Sequence, residues 1–363
     1  MRRTGRDRTA TCPSVSDDND LLQRRARSLG PAYRLFYDQP VHLVRGEGAW
    51  LFGADGKRYL DCYNNVASVG HCHPQVVAAL GKQAATLNTH TRYLHENVVA
   101  YAERLGATLP GELSVCMFVC TGTEANDLAV RIARAVTGHE GVIVTEDAYH
   151  GNSTTVYSLS TGEYPVDERP EWLETVEAPC TYRGRFREPG AEAAMEFAGL
   201  IGDAVRRLSA RGRGAAMFLT DNIYSSNGVL TPDPAYLQDA YRLVRAAGGL
   251  AVADEVQSGL CRLGDHFWGF QDSGVVPDIV TMGKPLGDGH PLAAVVTTPE
   301  IAGRFARKSG YFNTFGGNPV SAAVGLAVLE VIEQEGILRS VQDTGASLGV
   351  GLHALMARHE QIG

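Results

Sequence analysis

From about residue 114 to residue 299 the chain keeps returning to short runs that are apolar at nearly every position, and this pattern limits its fold more than anything else in the sequence. SVCMFVC, GVIVTED, AAMFLTD, GGLAVADEV, PDIVTMG and AAVVTTP are too short for helices and lack the polar alternation of a half-exposed strand. A strand that is apolar on both sides has to be covered on both sides. Segments of helical period lie between several of these runs, EANDLAVRIARAVTG among them. The pattern predicts an α/β protein with a mostly parallel sheet sandwiched by helices. Ligands of such sheets bind outside the carboxyl ends of the strands, so the residues that close each run are the first candidates for a site.

Upstream, VHLVRGEGAWLFGADGKRYLDC predicts two or three short strands joined by a Gly-Glu-Gly and an Asp-Gly turn. PQVVAALGKQAATL and NVVAYAERLGATL read as amphipathic helices. The expected organisation is a flexible N-terminal arm over 1–30 and the N-terminal part of a small domain over 31–75. A large domain over 76–318 follows, then a linking helix and the start of an incomplete C-terminal domain over 319–363. The first 19 residues are polar and lack the apolar core of a secretory signal. A net charge of −8 argues against a nucleic-acid partner. No apolar run approaches the roughly 20 residues of a membrane span. The seven cysteines are scattered and odd in number, which fits neither a disulfide framework nor a zinc site and points to a reducing cytoplasm.

Four run ends carry chemistry. LAVADEV delivers two adjacent carboxylates, Asp254 and Glu255, which on their own read equally well as a cap or a solvated turn. Thirty residues on, PDIVTMGKP ends in Lys284 between Gly283 and Pro285. Lysine is scarce here, with Lys57, Lys82, Lys284 and Lys308 the only four among 33 basic residues. Arginine cannot form an imine, whereas a desolvated lysine can, so a lysine kept at this position is informative. CTGTEAN places Gly122 and Thr123 at the start of a helix, where N–H groups form an anion site, although a plain threonine cap also fits. DAYHG places Tyr149 and His150 at a further run end, where an aromatic face could stack on a flat heterocycle. Together these residues supply what pyridoxal phosphate needs: a lysine for the aldehyde, a carboxylate for the ring nitrogen, a phosphate cradle and a stacking partner.

DEVQSGLCRLGDHFWGF followed by PDIVTMGKPLGDGHPLAAVVTT resembles the cofactor region of class III aminotransferases, and the likeness runs from about Pro40 to the end. The resemblance implies the pyridoxal-phosphate transferase fold type I and transfer of an amino group from an amino donor to a 2-oxo acid. It implies that Lys284 is the Schiff-base lysine, that Asp254 pairs with the ring nitrogen, that Gln257 reaches the ring hydroxyl, that Gly122 and Thr123 hold the phosphate, and that Tyr149 stacks. YFNTFGGNP is similar to a segment whose threonine, here Thr314, contacts the phosphate of a neighbouring subunit, which implies a homodimer.

CYNNVASVGHCHP and NTHTRYLHENVVAYAERL resemble a subgroup that includes phospho-lyases acting on O-phosphorylated amines or amino acids, so elimination of phosphate stands beside transamination. Three stretches depart from the family's usual text: Asp221 in FLTDN replaces a glutamate, Asp288 in GDGHP replaces an asparagine, and CTGTEAN carries threonines for serines. The chain stops at HEQIG, where relatives continue, and an incomplete C-terminal region is expected. A catalytically inactive binding homologue is the alternative of another class, although it would have no use for Lys284. A nicotinamide dehydrogenase fits poorly, because RGRGAAM precedes its strand and lacks the third glycine.

Overall fold

A computed structural model describes residues 18–359 and 361–362, so Cys12 and most of the arm expected over 1–30 lie outside the described residues. The chain divides into two compact units, residues 1–63 and 64–363. In the first, helix α1 (Asp18–Leu29) falls inside the span expected to be an arm and buries no residue. Strands β1 (Leu43–Glu47), β2 (Trp50–Gly53) and β3 (Arg58–Leu60) form an antiparallel meander. Gly48 and Gly56 take positive φ at its two turns, as the glycines of the sequence suggest.

The second unit opens with α2 (Pro74–Ala84), α3 (Glu96–Ala107), β4 (Val115–Val119), α4 (Gly122–Thr137) and β5 (Gly141–Thr145). It continues with α5 (Thr154–Leu159), β6 (Leu173–Val176), α6 (Ala191–Ala210), β7 (Ala215–Asp221), α7 (Ala235–Ala246) and β8 (Leu250–Asp254). β9 (Ile279–Met282), β10 (Ala293–Thr297), α8 (Pro299–Ala306), α9 (Pro319–Gln334) and α10 (Ile337–Met356) complete it. The sheet order is β4-β10-β9-β8-β7-β5-β6. β10 runs antiparallel to both neighbours and the remaining pairs are parallel, so β4, β5, β7, β8 and β9 all end at one edge.

Each of the six apolar runs forms a strand. β6 had no signal in the sequence, because LETV is neither an apolar run nor an alternating one; it sits at the sheet edge, where Glu174 pairs with Arg207 and Arg211. Alternation along the strands divides the core between two faces. Val142, Val144, Leu219, Val252 and Val295 pack with α4 and α8, while Ile143 and Phe218 pack with α6 and α7. Val280, Ala294 and Val296 face α3 and α9. Among the described residues no helix is long and apolar enough to cross a membrane.

α3 and α9 meet at Tyr101, which is 1% exposed. A Cβ at Gly325 of α9 would lie 2.4 Å from Tyr101 Cζ and 2.9 Å from Leu292 Cδ2. Overpacking of a core costs about 1–3 kcal/mol, against the ~1 kcal/mol that helix propensity returns. Gly325→Ala is therefore expected to lower the Tm, and an unchanged Tm would show that Tyr101 has room to move.

Candidate active site

The common strand edge gathers residues from five separate parts of the chain. Thr121 caps α4, its hydroxyl accepting from Glu124 N at 3.1 Å, and Glu124 Oε2 accepts from Cys120 N at 2.6 Å. This reciprocal cap is the plain reading of the TGTE text, and it is compatible with an anion site. The cap uses neither of the N–H groups of Gly122 and Thr123, which have no intrahelical partner at a helix start. A Cβ on Gly122 would lie 2.8 Å from Val256 Cγ2, so only glycine lets the loop after β8 come this close. Gly151 has φ +137°, and a Cβ there would strike Thr123 Oγ1 at 2.5 Å.

Asp254, 4% exposed, closes β8. Its Oδ2 accepts from His150 Nδ1 at 2.7 Å and from Asn126 Nδ2 at 2.9 Å, and its Oδ1 accepts from Val256 N at 3.1 Å. Asn126 is itself fixed: its amide also donates to His150 O at 2.7 Å, and its oxygen accepts from Thr281 Oγ1 at 2.6 Å. His150 Nε2 is buried without a hydrogen-bond partner among the described residues. Asn126 lies within the TGTEAN text without having been singled out. The signal available for it is an amide at a position of α4 where Ala125, Leu128 and Ala129 are buried around it.

Glu255 points elsewhere. It is fully buried and accepts from Asn222 Nδ2 at 2.7 Å, Ser258 Oγ at 2.9 Å, Gly269 N at 2.7 Å and Phe270 N at 2.9 Å. Burial pushes its pKa up to about 7, while the Gly269, Phe270 and Ser258 donors pull it down. Asp221 pairs with Asp254 in the register of β7 and β8. Its carboxylate is capped by Ile223 N at 3.2 Å, Ser225 N at 2.8 Å and the Ser225 hydroxyl. Burial raises its pKa, Ser225 offsets part of the rise, and the charge of Asp254 adds to it.

Lys284 follows β9 and begins a short helical turn, Lys284–Gly287. Burial lowers its pKa, with the charges of Asp254 and then Asp221 opposing the shift. A cavity of about 320 Å³ brings together Gly122, Thr123, Tyr149, His150, Asp254, Gln257 and Lys284, with Asn126, Asp221, Val66 and His290 beside them. Gln257 Oε1 accepts from Asn65. Thr314 does not line this cavity and is exposed. His150 reaches the cavity from behind Asp254. Among the described residues no group of three or more His, Cys, Asp or Glu side chains is placed to hold a metal ion.

The model of the aminotransferase class-III family matches residues 36–363. The chain is 43% identical over 352 residues to an alanine–glyoxylate aminotransferase 2-like protein of Drosophila melanogaster, covering 95% of this chain and 71% of that protein. It is 37% identical to an ethanolamine-phosphate phospho-lyase homolog of Caenorhabditis elegans, covering 98% of this chain and 79% of that protein. A phospholyase from Arthrobacter, solved in complex with phosphoethanolamine, superposes with a TM-score of 0.90 at 42% identity, covering 93% of this chain and 80% of that one.

Glu255 gives a pH test of the scaffold. A carboxyl raised in the folded state adds stability that is complete below its unfolded value of about 4.3 and is lost as pH rises through about 7. Chemical denaturation of wild type and Glu255→Gln at several pH values is expected to show the wild type losing ground to the variant between pH 5 and pH 8. A constant difference between the two would contradict this.

Proposed function

We propose a function that proceeds from one premise: the chain belongs to the class III aminotransferase family, whose enzymes depend on pyridoxal phosphate. The observation that carries the reading is the convergence of Lys284, Asp254 and the start of α4 on one cavity. The residues present suit the cofactor. Lys284 is desolvated, as an imine-forming amine must be. Gly122 lets Val256 and the loop after β8 close up against the start of α4, beside Asp254. Asp254 is a carboxylate held from behind by three donors, which leaves Oδ1 with only a backbone contact.

In this reading Lys284 holds the cofactor covalently through Nζ, and the N–H groups of Gly122 and Thr123 bind its phosphate at the positive end of α4. Tyr149 would offer its ring to the cofactor, and Gln257, which accepts from Asn65, would serve the ring hydroxyl. Asp254 holds a proton at the ring nitrogen. Pyridoxal phosphate, when bound, supplies an electron sink for the pair left on the substrate carbon. Lys284 Nζ, when not engaged with the cofactor, would move a proton at that carbon. Low water content around Lys284 favours its neutral form, which is the form that accepts the proton.

The reaction we favour is amino transfer from an amino acid or amine to a 2-oxo acid. One observation favours a second reading, elimination of phosphate from an O-phosphorylated amine: the likeness to the Arthrobacter phospholyase. The sheet unit is the cofactor-binding domain. We further propose a homodimer in which Thr314 reaches the neighbouring subunit's phosphate. Phe312, Phe315, Tyr93 and Leu94 are exposed, and Arg92 lies 3.8 Å over Phe312, which supports a covered aromatic surface beside Thr314. The six described cysteines are all free, which supports a reducing compartment such as the cytoplasm.

Absorbance tests the cofactor assignment. Purified protein supplied with pyridoxal phosphate is expected to show a visible band that borohydride removes and that Lys284→Ala lacks; a wild type without the band would sink the assignment. Asp254→Asn is expected to keep covalent attachment and to lose about 10²-fold or more in kcat. Incubation with O-phosphoethanolamine separates the two reactions. Phosphate released without a 2-oxo acid acceptor identifies elimination, and amino transfer that requires the acceptor identifies transamination.

A further inference from the structure

Residues 289–292 join the Lys284 turn to β10, and all four line the cavity. The β10–β4 ladder sets Ala293 opposite Val119, so the residues just before β10 run beside Cys120, Thr121 and Gly122, where β4 gives way to α4. His290 is thereby brought to the end of the cavity that holds the anion site. The described lining carries Asp221 and Asp254 against one lysine, Lys284, and no arginine. A phosphate held there depends on the dipoles of neutral donors, of which the backbone at the start of α4 supplies some.

The ring of His290 is held at one nitrogen. Asn318 caps α9, its Oδ1 accepting from Ser321 N at 2.9 Å, and its amide nitrogen donates to Ser321 Oγ at 2.9 Å. Ser321 Oγ keeps its own proton to give, and two acceptors lie in reach: His290 Nε2 at 2.9 Å and Pro291 O at 3.4 Å. The shorter contact takes the proton. Nε2 is then an acceptor, and the proton of the ring sits on Nδ1. Burial lowers the pKa of His290, which favours this neutral ring. Among the described residues Nδ1 has no hydrogen-bond partner, and it is not one of the unpaired atoms sealed in the interior. Since the ring lines the cavity, that N–H opens into it. His150, the other histidine of the cavity, already gives its Nδ1 to Asp254.

We propose that His290 is a further ligand of the cofactor phosphate, its Nδ1–H donating to a phosphate oxygen beside the start of α4. Ser321 is the positioning residue behind it, holding Nε2 so that the ring stays in the tautomer that donates. The inference rests on the reading of Lys284, Gly122 and Thr123 as the cofactor site. It adds to that site a side-chain donor from the strand on the far side of β4, so that the phosphate is gripped from both β10 and α4.

Titration of the full chain, freed of cofactor, with pyridoxal phosphate and with pyridoxal isolates the contact, because pyridoxal lacks the phosphate and the visible band reports both. In His290→Phe, which removes the donor, affinity for pyridoxal phosphate is expected to fall about ten-fold while affinity for pyridoxal stays as in wild type. His290→Asn, which keeps an amide donor near the place of Nδ1, is expected to recover most of the loss. Equal losses for the two ligands, or unchanged binding of pyridoxal phosphate, would overturn the proposal. A loss confined to the KM for O-phosphoethanolamine would overturn it too, by moving the contact to a substrate phosphate. The ring-nitrogen resonances of His290 in wild type decide the matter should His290→Phe fold poorly. Nδ1 is expected to carry the proton and to shift on addition of pyridoxal phosphate but not of pyridoxal, and a resonance that stays in place contradicts the contact. Failure of the Lys284 reading is distinguishable: wild type would then show no band with either ligand, whereas failure of this inference leaves both bands and an unchanged ratio of affinities.

Discussion

Asp254 sits at the end of β8 with 4% of its surface exposed, and a carboxylate at that depth costs several kcal/mol unless donors replace the water it has lost. Here His150, Asn126 and the Val256 N–H replace it. Two of these donors are in turn held: Asn126 by Thr281 of β9, and the backbone of His150 and of its neighbour Gly151 by Ser160 Oγ, just after α5. The network thus ties α4, the loop after β5, and strands β8 and β9 to one oxygen pair. Removing a member would leave a buried polar group unpaired, which is costlier than losing an average hydrogen bond.

The adjacent Glu255 solves a different problem with the same functional group. Consecutive residues at a strand end point to opposite sides. Asp254 faces the cavity, and Glu255 turns to the start of the helical turn at Gly269, whose N–H groups it accepts. One carboxylate serves the pocket, and the other fastens the chain that returns beneath it. Asp221, on the neighbouring strand, is a third, and its oxygens are already taken by Ile223 and Ser225. Capped in this way, it acts on Lys284 through its charge.

The sheet was legible because its strands are apolar on both sides, a property of composition that needs no partner to be seen. β6 was not, because four edge residues with two polar ones at their centre carry little signal. Lys284, Asp254 and Tyr149 could be found as residues closing apolar runs. The residues alone left Asp254 and Glu255 equivalent, and the family likeness chose between them; the hydrogen bonds supply the physical reason. Asn126, Val66 and His290 did not stand out, since what marks them is arrival from remote segments. The 65–73 segment is hydrogen-bonded to Gln257, Pro285 and Asp288, partners remote in sequence that composition does not show.

The antiparallel strand β10 has a consequence for how the molecule comes into being. It is the last strand of the chain, yet it lies between β4, the first strand of this sheet, and β9. During synthesis β4 emerges early and has no strand to pair with until β10 has left the ribosome. The run end at Gly122 is therefore locked into the same sheet as Lys284 only after a long loop has closed, which is slow. A ligand that needs both halves at once binds only the finished fold, and by mass action it stabilises that fold over every partly assembled one.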